Sequence, residues 1–130
     1  MMLNIHSLNA HIDQYSNNAW DIMRENNSKL AKFEKPRIIL NNRLWRSAGI
    51  CYVYERQIHL GTKFFLAFHE RMFKEIIIHE LCHQAVADIW GFNPVNGGHC
   101  ENWKYLMRKW GLFPNRFHDM HIDRRGNVVN

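Results

Sequence analysis

Two histidines four residues apart, with a glutamate directly after the first, are the residues best suited to chemistry in this chain. They form His79-Glu80-Leu81-Cys82-His83, inside the stretch EIIIHELCHQA at residues 75–85. On a helix of 3.6 residues per turn, the two imidazoles lie one turn apart and about 40° apart around the axis, so both reach one metal ion. Glu80 is rotated by about 100° from His79, beside such an ion but not on it. A base must stand there to take a proton from a metal-activated water. The H-E-x-x-H spelling is that of a zinc-hydrolase helix. Nine histidines in 130 residues give chance a share in it, and the bland alternative is a core helix with buried, hydrogen-bonded histidines.

The surroundings favour the metal. Ile76, Ile77 and Ile78 precede the motif and supply apolar packing for a rigid platform. A third histidine, His99, follows Asn96-Gly97-Gly98 at the expected start of the next helix. Three neutral imidazoles and one water make an open tetrahedral site, the arrangement of a catalytic rather than a structural zinc. Cys100 is the competing ligand, softer and adjacent to His99; its binding would close the open position. Cys82 reads as a small packing residue. His118-x-x-His121-x-Asp123 reads as a solvated tail, with two other uses open. It could hold a second metal, or His118 or His121 could fold over the cleft and polarise a substrate carbonyl. His59 and His69 have no partner spacing and read as structural.

These residues need elements to position them. Apolar residues spaced by threes and fours, from Ile5 to Met23, predict a helix over 5–33 with a break near Asn26-Asn27, and Pro36 ends it. Short β-branched and aromatic runs predict strands at 37–42, 49–54 and 56–60, the last two joined tightly at Glu55-Arg56. A helical period runs from Phe68 to Trp90, stopped by Gly91 and Pro94. A second helix follows over 99–110, and residues 113–130 read as a short hairpin or tail. The expected fold is α+β and zincin-like, one domain over 1–130. It has an N-terminal helix, a small three-stranded sheet, the metal helix and a following helix that carries the third histidine.

Composition narrows the classes. A hydrophobic content of 46% with five Trp and eight Phe is that of a globular chain. The polar N-terminus lacks the basic region and apolar run of a secretory signal, and no segment approaches the roughly 18 apolar residues of a membrane span. Three cysteines without a C-x-x-C pair argue against a disulfide framework or a cysteine ribbon and for a reducing cytoplasm. The net charge is +5, and residues 28–46 alone match it, with Lys29, Lys32, Lys35, Arg37, Arg43 and Arg46 against Glu34. Phe33 and Trp45 lie among them. The segment reads as a solvated face or, on the sharper reading, as a single-strand nucleic-acid surface.

Four stretches in order carry a resemblance to a known family: RLWRSAG (43–49), IHL (58–60), HELCH (79–83) and GHCENWKYLMRKWG (98–111). Over residues 5–112 the chain resembles the SprT-like zinc metalloproteases, which include the Spartan DNA–protein crosslink proteases. The resemblance implies zinc on His79, His83 and His99, Glu80 as catalytic base, and Trp103 packed beneath the metal helices. Cys100 stands where many members have Gly. The chain looks like a minimal version, without the C-terminal zinc ribbon that many members carry, and its brevity would suit a phage-encoded protein working in the host cytoplasm. The function this implies is a zinc-dependent endopeptidase for protein or peptide substrates, including DNA-associated or DNA-crosslinked ones. Any DNA would be held by residues 28–46 or 104–109. The strand at 56–60 is the expected seat of an extended substrate. The alternative is a nucleic-acid-associated binding module with a structural zinc.

Overall fold

The computed structural model describes residues 4–116 and 118–129. Helix α1 spans Ile5–Asn26 and is capped by Asn4, whose side-chain oxygen accepts from the Ser7 N–H at 3.0 Å. Its inner face buries Leu8, Ile12, Ala19, Trp20 and Met23. The helix ends at the Asn26-Asn27 break instead of running to residue 33, because Asn27 is extended (φ −147°). Turns follow over 28–33, tied back to α1 by the Trp20 indole N–H, which donates to the Phe33 carbonyl at 3.1 Å.

The sheet has three strands, β1 (Arg37–Asn41), β2 (Gly49–Tyr52) and β3 (Gln57–Gly61). Their order is β1-β3-β2, with β3 parallel to β1 and antiparallel to β2. Strand β2 stops two residues before the predicted Tyr54, since residues 53–56 form a turn in which Arg56 adopts a left-handed φ of 54°. That conformation is uncommon for a side-chain-bearing residue. It is held here by a 2.7 Å ion pair between the Arg56 guanidinium and Asp88, while Gln84 donates to both Asp88 (3.1 Å) and the Val53 carbonyl (3.3 Å). The turn is thereby pinned to the metal helix.

The predicted single helix over 68–90 is two helices joined by a π-helical turn. Helix α2 spans Thr62–Arg71, the π turn Met72–Ile76, and α3 Ile77–Trp90. Phe68 leaves helical geometry (φ −138°, ψ 49°). No Gly or Pro interrupts the stretch, so periodicity alone cannot reveal the break. Packing explains it: the register shift lets Phe64 and Phe65 of α2 and Met72, Phe73 and Ile76 of the turn all reach one core. Helix α4 spans Glu101–Lys109 and begins two residues later than expected.

The C-terminal stretch is a hairpin rather than a solvated tail. Ile122 and Val128 form an antiparallel bridge around the Asp123–Asn127 turn, and Met120 and Ile122 are buried. The Arg71–Asp119 ion pair (2.6 Å) and the Lys63 ammonium donating to the Arg124 carbonyl (2.6 Å) fasten it to α2. The architecture is α+β, and among the described residues no helix is long and apolar enough to cross a membrane.

Candidate metal centre

Helix α3 is held rigid from behind: Ile77, Ile78, Leu81, Cys82 and Ala85 are fully or almost fully buried. That leaves His79 and His83 on the face turned towards the loop at 91–100. Gly91 (φ 92°) ends the helix, and Asn96, Gly97 and Gly98 then take left-handed conformations in succession (φ 54°, 65° and 84°). The chain is turned back onto α3 by this run. Gly98 is required twice over, since a Cβ there would also lie 3.3 Å from His83 Nδ1. His99 therefore sits on the loop before α4, not on the helix as expected, because Cys100 is extended and serves as the N-cap position.

The three imidazoles converge. His99 Nε2 lies 3.1 Å from His79 Nε2 and 3.2 Å from His83 Nε2. A tetrahedral ion bound at about 2.0–2.1 Å by each nitrogen needs those nitrogens roughly 3.3 Å apart, close to what is seen. On two of the three rings the opposite nitrogen is occupied. His99 Nδ1 is 2.8 Å from the Asn96 carbonyl and donates its proton there, and His83 hydrogen-bonds the Gly98 backbone. That orientation leaves lone pairs pointing inward. Burial, reinforced by the neighbouring imidazoles, depresses the pKa of His79 to about 2 and of His83 to about 3, and burial lowers His99 as well. At neutral pH the three rings are uncharged, and a metal cation is the partner this donor set fits. Among the described residues these three histidines are the one group spaced to hold an ion.

Trp103 is the platform beneath. It is fully buried, stacks on His83 (16°, 5.3 Å between centroids), meets His79 and His99 edge-on, and donates from its indole to the His79 carbonyl at 3.2 Å. Cys100 lies in the core and outside the cluster, as does Cys82. His59 is engaged by Asn41, Gln57 and Tyr52, and His69 packs among Phe65, Phe73 and His11. Asp123 is spent on the hairpin turn, where its carboxylate accepts from the Arg125 and Asn127 backbones.

Glu80 is almost completely buried, its carboxylate 3.9 Å from His79 Nε2, and burial raises its pKa to about 8. A residue missed by the sequence reading makes room for it. Gly49, at the start of β2, lies so close that a Cβ would sit 3.0 Å from Glu80 Cγ and 3.0 Å from Ile76 Cγ2. The Ala48-Gly49 pair was visible in the sequence, but the contact spans 31 positions and only the packing of β2 on α3 creates it.

The cluster opens into a cleft of about 1180 Å³, walled by β2, the loop at 91–99 and the C-terminal segment with His118 and His121. Strand β3, the expected substrate seat at 56–60, lies mid-sheet with both edges paired, so it cannot accept another strand. The strand beside the cleft is β2, whose outer edge pairs with no strand among the described residues.

An α+β domain with three convergent histidines on and after an H-E-x-x-H helix is a metalloprotease-type module. The chain belongs to the SprT-like family, whose sequence pattern matches residues 9–122. Neither a curated protein nor a solved structure matches it.

Proposed function

We propose that this protein is a zinc-dependent endopeptidase. The observation that carries the reading is the convergence of three imidazole nitrogens beside one buried carboxylate, at the floor of a cleft with an open strand edge. His79, His83 and His99 would hold the zinc, which when bound supplies Lewis acidity that brings the pKa of water towards about 7 and polarises a carbonyl. Glu80 takes the proton of the attacking water and returns it to the leaving amine. Burial alone favours its protonated form, so positive charge beside it is what keeps it a competent base. An extended polypeptide would lie along β2, bound through backbone hydrogen bonds that leave side-chain preference loose.

The test is Glu80→Gln: zinc per chain, read by mass spectrometry, should persist while cleavage of a denatured protein falls by about 10²–10⁴-fold. Unchanged cleavage by that variant would sink the mechanism. We extend the reading to DNA-associated substrates through the basic residues of 28–46 and 104–109, with Arg46 at the rim of the cleft. Binding that weakens steeply with salt is the expected signature. Three free cysteines suit work in the cytoplasm. The rival reading, a binding module with a structural zinc, needs the open position closed, and Cys100 is packed away from the cluster.

A further inference from the structure

Hydrolysis of a peptide bond places negative charge on the carbonyl oxygen, and a fixed hydrogen-bond donor aimed at that oxygen adds to whatever else stabilises it. His118 offers such a donor within the cleft. It lines the same cleft as His79 and Glu80. Its tautomer is assigned by its own chain: the Met120 backbone N–H donates to His118 Nδ1 at 3.1 Å, so the neutral ring carries its proton on Nε2. The ring is half-buried and stands edge-on to Phe64 (5.8 Å between centroids).

Its position is secured by the chain that follows it. Met120 and Ile122 anchor the chain after it in the core, and Asp119 is paired to Arg71, which also grips Glu75 in the turn that leads into α3. The donor is therefore tied to the element that begins the metal helix. His121, the other candidate of the C-terminal segment, is exposed. Burial lowers the proton affinity of His118, with His121 and Arg71 contributing, which keeps it a neutral donor.

We propose that His118 is a catalytic residue whose Nε2–H donates a hydrogen bond to the oxyanion that forms on the scissile carbonyl. No bond to His118 forms or breaks, and its proton stays on Nε2 throughout. The inference rests on the endopeptidase reading above, and deepens it.

The test compares wild type, His118→Ala, His118→Gln and Glu80→Gln in the zinc-loaded full chain. Cleavage of a quenched fluorescent peptide gives kcat and KM. Calorimetry with a phosphinic peptide, a tetrahedral mimic of the oxyanion, provides a readout that does not depend on turnover. His118→Ala should lower kcat by about 10²–10³-fold and weaken phosphinate binding in parallel, because both losses report the developing charge. KM, zinc per chain and melting temperature should stay near wild type. His118→Gln, which retains an N–H donor, should recover part of the loss.

Wild-type kcat and wild-type phosphinate affinity in His118→Ala would overturn the proposal while leaving the endopeptidase reading intact. So would a loss that follows KM or melting temperature instead of kcat. A wild-type protein that cleaves nothing, or a Glu80→Gln variant that cleaves normally, would end the endopeptidase reading and this inference with it.

Discussion

Glu80 and its neighbours show how little space a reactive carboxylate is given. It packs against Gly49, where a Cβ would meet Glu80 and Ile76 at 3.0 Å. Gly49→Ala should therefore cost about 1–3 kcal/mol by overpacking, read from chemical denaturation, and should reduce turnover more than metal content because the displaced group is the proposed base. Trp103 acts on the other side of the cluster. Trp103→Phe keeps an apolar ring but deletes the hydrogen bond to the His79 carbonyl. Metal affinity should fall by about 10–100-fold, measured by chelator competition, with the fold retained. Both residues lie in stretches whose resemblance was legible, yet the Gly49 contact was not, since it exists only once a strand and a helix are packed together.

At the scale of elements, the helical stretch from Thr62 to Trp90 departs most from expectation. Its apolar pattern is continuous, so periodicity reads one helix, while the core needs side chains from two directions and obtains them through the kink at Phe68 and the π turn at 72–76. The same turn holds Glu75, the partner of Arg71, which reaches across to Asp119. This ion pair joins exposed groups and contributes little to stability, so its role is positional. The loop at 91–100 was easier to read, because three left-handed residues in succession call for the Asn-Gly-Gly written there. The pairing of strands was not readable. Nothing in the residues of β2 and β3 says which lies mid-sheet, and that choice moves the open edge from β3 to β2.

For the whole molecule, the metal-free protein offers a pH test. Glu80 has a pKa of about 8 in the fold against 4.5 as its ordinary value, so the folded state holds a proton that the unfolded chain has lost, and stability falls as pH rises from 4.5 to 8. His79 and His83 run the other way. Their pKa values of about 2 and 3 against 6.5 mean that the unfolded chain takes up protons first, so stability falls as pH drops below 6.5. Two histidines outweigh one glutamate below pH 6.5, which puts maximal stability of the chelated protein near that pH. Thermal melts of chelator-treated protein should fall away on both sides, and Glu80→Gln should lose the decline between 6.5 and 8. What the sequence determined by itself was the family, together with three candidate ligands and a candidate base, because helix spacing, a glycine-rich turn and ordered motifs are local properties. What only the tertiary structure decided was the convergence of His99 on His79 and His83, the packing of Glu80 against Gly49, the open edge of β2 and the presence of His118 in the cleft wall. Each joins residues distant along the chain, and local pattern carries no record of which surfaces the core will press together.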